Sequence, residues 1–245
     1  MSTRTPYSNK FAAMKVQEGV LWGQQTQSAL LFFNIGKQSF DHSFIDALVT
    51  IKRAAADINH AEGHLSDSQT QAILFACNLV LKGHYRDQFP LRIWQTGSGT
   101  QTNMNVNEVI ASLARAYRNE QIHPNDHVNM SQSSNDVFPS AMHIVVAQQT
   151  MQKLLPALNK FCRYLRDKQY EFKGISSVGR THLMDALPLP AGAILSAYYS
   201  QLGHARIDLL ASLQQVFKLA LGGTAVGSGA NASPTFGKRV IEVLA

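Results

Sequence analysis

Cysteine is nearly absent. Only Cys77 and Cys162 occur in 245 residues, each inside an apolar helical pattern, which excludes a disulfide framework or a cysteine-based zinc site and fits a reducing compartment. Charge is scarce too: Asp, Glu, Lys and Arg make up 16% of the chain, below the quarter typical of soluble domains. Other subunits, rather than water, are therefore expected to cover much of the surface. No run of about 18 uninterrupted apolar residues occurs, and the polar stretch Met1 to Lys10 has no apolar core of signal-peptide length. These absences point to a soluble, cytoplasmic protein with no membrane partner. Internal repeats, low-complexity tracts and strand-rich regions are also missing.

With 45% apolar residues, the chain can bury a sizeable core as one large domain or two modest ones. Lys and Arg exceed Asp and Glu, 22 to 16, a net +6 that favours anionic ligands. The longest basic cluster, Lys160, Arg163, Arg166 and Lys168, has the spacing of a solvated helix face rather than a nucleic-acid surface.

Helical periodicity dominates after an irregular start that includes Trp22-Gly23-Gln24-Gln25-Thr26-Gln27. Ile45, Leu48, Ile51, Ala55 and Ile58 form one stripe, predicting a helix from near Ser43 to near Gly63. A second helix is expected from a Ser66 or Asp67 cap to Gly83. From Pro139 a long pattern reaches about Lys173, with a kink expected at Pro156, which lacks a backbone donor. Another is expected from Gly192 to Leu221. After Pro234 the residues Phe236, Val240, Ile241 and Leu244 begin an amphipathic helix that meets no stop signal before Ala245, so the chain reads as truncated. The expected fold is mostly α: a small N-terminal helical domain over 1–136, then the first part of a long-helix bundle over 137–245.

Three polar segments interrupt the helices. In Gly97-Ser98-Gly99-Thr100-Gln101-Thr102-Asn103-Met104-Asn105-Val106-Asn107-Glu108, two glycines and short donors lead into a helix, an arrangement that presents hydroxyls and N–H groups to an anion. It lacks the Gly-Lys-Ser/Thr of a phosphate-binding loop and the third glycine of a dinucleotide fingerprint. An ordinary loop and N-cap is the competing reading. His123-Pro124-Asn125-Asp126 precedes Ser131-Gln132-Ser133-Ser134-Asn135-Asp136, whose hydroxyls and amide can hold a carboxylate, or can merely cap the next helix. In Gly179-Arg180-Thr181-His182-Leu183-Met184-Asp185, a histidine beside a hydroxyl can move a proton, although most of nine histidines are expected to be structural. Leu221-Gly222-Gly223-Thr224-Ala225-Val226-Gly227 reads as a tight structural turn.

In this order and spacing, these segments resemble the signature regions of class II fumarases in the aspartase and fumarase superfamily, from about Leu21 to the last residue. Aspartases carry Thr at the position of Ser134 and Gln at that of His182, so the resemblance favours fumarate over aspartate. It implies that Ser98, Gly99, Thr100, Ser133, Ser134, Asn135 and Thr181 bind substrate carboxylates. It also implies that His182 handles the catalytic water or its proton, and that His123, Pro124, Asn125 and Asp126 form a second anion site. No metal or cofactor is implied.

The implied partners are fumarate or malate and further copies of the chain, in a homotetramer whose sites draw the three segments from different subunits. Thr100, Asn135 and His182 are then expected far apart within one chain. The sequence departs from the family at Glu120, where a basic residue is usual, and at Met184 and Ala193-Ile194, where Gln and Gln-Glu are common. The family's serine base, with its Lys and Asn, falls beyond Ala245. The competing expectations are a non-catalytic fragment, or another lyase of the superfamily such as an aspartate ammonia-lyase.

Overall fold

Helix starts fall where the sequence supplies caps. In the computed structural model, which describes residues 18–245, helix α1 spans Gln24–Phe32, α2 His42–Ala61 and α3 Asp67–Leu81. Asp41 caps α2 by accepting from the Ser43 N–H. At α3, Ser66 and Gln69 form a reciprocal capping box that satisfies two otherwise orphaned donors. Helix α4 spans Thr100–Arg118 and α5 Ser134–Gln149. The stretch Met1 to Lys10 lies outside the described residues.

The Cα packing divides the chain into two units. The first holds the described residues up to Val145 and takes back Leu219–Ala245, while the second is Val146–Lys218. In the first unit, Leu48, Val49 and Ile51 of α2, Ile73, Ala76 and Val80 of α3, and Val106, Val109 and Ile110 of α4 are fully buried. Each large aliphatic side chain among them contributes about 1.5 to 3 kcal/mol by leaving water. Phe40, Phe44 and Phe138 join this core as a ring cluster with centroids 4.7 to 5.6 Å apart. The expected last helix, α8, spans Phe236–Leu244, and its Phe236 and Val240 are fully buried in the same core.

The second unit is thinner. Residues Thr150–Leu154 form a π-helical turn, and α6 follows over Leu155–Glu171 with Pro156 in its first turn. The wider turn is how the backbone accommodates the donor that Pro156 lacks. An antiparallel hairpin then pairs β1, Ser176–Thr181, with β2, Met184–Pro190, in a register that sets Ser176 opposite Pro190 and Thr181 opposite Met184. These strands were not expected from the sequence. Helix α7 spans Ala191–Val216 and ends short of the expected Leu221; Leu221 instead joins the first unit's core. On α6 and α7 only Leu155, Leu165, Gly192 and Leu213 are buried. Phe161, Tyr164, Tyr170, Tyr198 and Ile207 each expose half or more of their surface. No helix among the described residues is long and apolar enough to cross a membrane.

Candidate functional site

Gly99 opens α4 in the left-handed region, with φ 67°. A Cβ there would run into the Phe138 ring of α5, so glycine is required both by conformation and by space. Around it the hydroxyls line up: Ser98 Oγ lies 3.0 Å from Thr100 Oγ1 and 3.3 Å from Thr96 Oγ1, which donates to Gln101 Oε1 at 2.6 Å. Ser98 is exposed and Thr100 half-buried. Neither caps the helix; Gln95 Oε1 takes the Thr102 N–H at 3.1 Å, which leaves the N–H groups ahead of it and the positive dipole end of α4 available to an anion. Thr100 also lines a recess of about 470 Å³ with Ser28, Ala29, Phe32, Phe33 and Met104.

The second polar segment is held from several sides. Ser133 N–H donates to Asp136 Oδ1 at 2.9 Å, and Asn135 N–H to Ser133 Oγ at 3.2 Å. Asp136, almost fully buried, uses its other oxygen to accept from the Gly222 and Thr224 N–H groups at 3.2 and 2.9 Å. Asn135 Nδ2 donates to the Ala225 carbonyl at 2.9 Å. The Leu221–Gly227 turn is thus tight, as read from its glycines: a Cβ on Gly222 would stand 2.7 Å from Gly237 Cα. The turn also braces the serine-asparagine segment, which its sequence did not reveal.

The bases of these two segments touch within this unit, through Gly99 against Phe138 and through Asn103 Nδ2 donating to Ser134 Oγ at 3.1 Å. Thr100 and Asn135, expected far apart within one chain, therefore stand at the adjoining roots of two helices that touch. Thr181 and His182 belong to the other unit. They sit at the exposed tip of the hairpin, where Thr181 Oγ1 lies 2.8 Å from His182 Nδ1. His182 and Leu183 form its two-residue turn with φ 53° and 61°, the left-handed pair that favours Asn-Gly. Arg180 and Asp185 form an exposed ion pair across the strands at 3.2 Å.

His123 to Asp126 lie at the start of a π-helical turn over Pro124–Val128. His123 Nδ1 accepts from the Asp126 N–H and lies 3.1 Å from its carboxylate. His123 and Asp126, with Arg115, Gln121, Ile122 and His127, bound a recess of about 550 Å³, which Pro124 and Asn125 do not line. Arg115, at the end of α4, supplies the guanidinium here. Its Nη1 donates to the Ile122 carbonyl at 2.7 Å. The sequence reading missed it because the motif begins eight positions later.

Two further polar side chains went unnoticed. Glu108 lies buried behind α1 and accepts from the Gly23, Gln25 and Thr26 N–H groups and from Thr26 Oγ1, at 2.6 to 3.1 Å. The stretch Trp22 to Gln27, expected to be irregular, is therefore the start of a helix whose positive end carries a carboxylate. Lys52 is fully buried. Burial pulls its ammonium down to about 7, against the upward pull of the nearby Asp136 carboxylate.

A family model described as "Lyase" matches residues 12–245. Class II fumarate hydratases from Helicobacter pylori and Nitrosomonas europaea are 48% and 46% identical to the chain over 94% and 95% of its length. The chain covers 51% and 52% of those relatives, about half their length. Among solved structures, a class II fumarase from Schistosoma mansoni superposes with a TM-score of 0.89 at 41% identity, covering 94% of this chain and 50% of that one.

Proposed function

The chain belongs to the lyase family, and from that premise we propose that the protein works as a class II fumarate hydratase, interconverting fumarate and (S)-malate. One observation carries the reading: relatives named for that activity share nearly half of their matched residues with this chain, over a stretch that takes in all three polar segments. The chemistry of the segments agrees. Removing a proton from the carbon beside a carboxylate forces that carboxylate to take up more negative charge. Neutral donors fixed beforehand stabilise that charge, each by about 3 kcal/mol. Ser98, Gly99 and Thr100 at the start of α4, Ser133, Ser134 and Asn135 at the start of α5, and Thr181 are the donors, and His182 holds or passes a proton.

The exposed aromatic and aliphatic side chains of α6 and α7 support a homo-oligomer, a tetramer in this reading, that brings the His182 hairpin of one copy to the serine-asparagine segment of another. The 1–136 and 137–245 division belongs to that assembly. The recess around Arg115 and His123 to Asp126 serves as the second anion site, and the cytoplasm is the compartment.

The test follows the ultraviolet absorbance of fumarate with purified protein of natural length. Consumption of fumarate and formation of malate is the expected result. Acceptance of aspartate or another succinyl compound, with fumarate left untouched, would refute the substrate.

A further inference from the structure

Lys52 has no role in the chemistry above, yet it occupies the middle of the first unit's core. It forms no ion pair among the described residues. Its Nζ instead donates to Asn129 Oδ1 at 2.6 Å. The same oxygen accepts from Asn103 Nδ2 at 3.1 Å, and that amide also donates to Ser134 Oγ. The Asn129 amide donates onward to the Gln132 carbonyl at 3.3 Å. Seven residues along the same face of α2, buried Asn59 donates to the Met130 carbonyl at 3.1 Å and accepts from Ser131 Oγ at 2.8 Å. Ser131 stands there at φ 62°, a conformation serine keeps only when its surroundings impose it.

Two polar side chains of one helix therefore hold the turn that leads into Ser133, Ser134 and Asn135. The titratable groups around Lys52 are Asp136 from α5 and Cys77 from α3; α4 contributes the neutral Asn103. A methionine would fill the volume of Lys52 without the penalty of dehydrating an ammonium. Packing alone therefore gives no reason for a lysine at this position, whereas a donor aimed at Asn129 does.

We propose that Lys52 is a positioning residue for the dicarboxylate site: through Asn129 and Asn103 it fixes where the Ser133-Ser134-Asn135 segment presents its donors. The proposal rests on the reading of that segment as a carboxylate binder.

Hydrogen exchange and calorimetric fumarate binding, on protein of natural length, separate the two claims. In Lys52→Met the melting temperature stays at or above that of the parent, because volume is kept and a buried charge removed. Exchange across residues 131–136 nevertheless rises about tenfold, and the fumarate dissociation constant rises by a similar factor. Asn129→Ala has the same local effect, and the double variant exceeds neither single one, since both cut one chain of bonds. Unaltered exchange across 131–136 in Lys52→Met overturns the proposal. Should that variant fail to fold, unaltered exchange in Asn129→Ala does so. If the parent protein binds no dicarboxylate while exchange responds as expected, the substrate reading falls and the bracing by Lys52 stands.

Discussion

The roots of α4 and α5 and the tip of the β1–β2 hairpin carry the same kind of side chain, hydroxyls and amides or an imidazole, on opposite kinds of support. At the helix roots the donors are tied to buried Asp136, Asn103 and Lys52 and packed against Phe138. At the hairpin, Thr181 and His182 are exposed, held by one short mutual bond and an exposed ion pair, and the turn is made by two non-glycine residues at positive φ. The first unit fixes its donors by itself. The hairpin leaves its donors to be ordered by whatever docks against them, as the proposed oligomer would do.

That contrast can be broken at four places. Asp136→Ala is expected to cost most, about 4 kcal/mol in urea denaturation, since it leaves three N–H groups without their acceptor and removes the nearby carboxylate whose charge favours the buried Lys52 ammonium. Gly99→Ala follows at about 3 kcal/mol in the same measurement, through left-handed strain and collision with Phe138. Third comes pH. The Lys52 ammonium titrates at about 7 in the folded chain, down from 10.5, so the unfolded chain binds the extra proton above pH 7 and stability rises with pH. Burial pushes the Cys77 thiol up to about 12 from 9.0, which cancels the rise above pH 9 and turns it into a fall only above pH 10.5, where the unfolded Lys52 has also lost its proton. Denaturation midpoints should therefore climb between pH 7 and 9, by about 2 kcal/mol, and the climb should vanish in Lys52→Met. Last, Leu183→Gly relieves φ 61° at a fully exposed position and should be neutral or stabilising, by less than about 1 kcal/mol in thermal melting. A large loss there would mean that the hairpin is as internally fixed as the helix roots.

Local signals were legible in the sequence. The cap at Ser66 or Asp67, the apolar stripe of α2, the start of α8 and the glycine-rich tightness of the 221–227 turn all depend on residues a few positions apart. What escaped depends on partners far along the chain. Nothing near Trp22 announces that Glu108 caps it, and nothing in α2 announces that Lys52 reaches Asn129, because these bonds span 77 to 85 positions. The hairpin was missed for a different reason: His182-Leu183 is a poor match for a two-residue turn, and exposed strands lack the apolar alternation that betrays buried ones. At Pro156, where an interruption of the long helical pattern was expected, the helix is broken by a π-helical turn over Thr150–Leu154. The polar segments were recognisable as donors. The aspartate, asparagine and lysine that hold two of them in place were not.

The Glu108 clamp also bears on the order of events at the ribosome. Helix α1 has nine residues, too few to persist alone in water, and its main polar anchor lies more than eighty residues downstream. At cellular elongation speeds α1 emerges on the order of ten seconds before the carboxylate that will hold it. During that interval its apolar side chains are open to chaperones, and α1, although made first, docks only after α4 has been made.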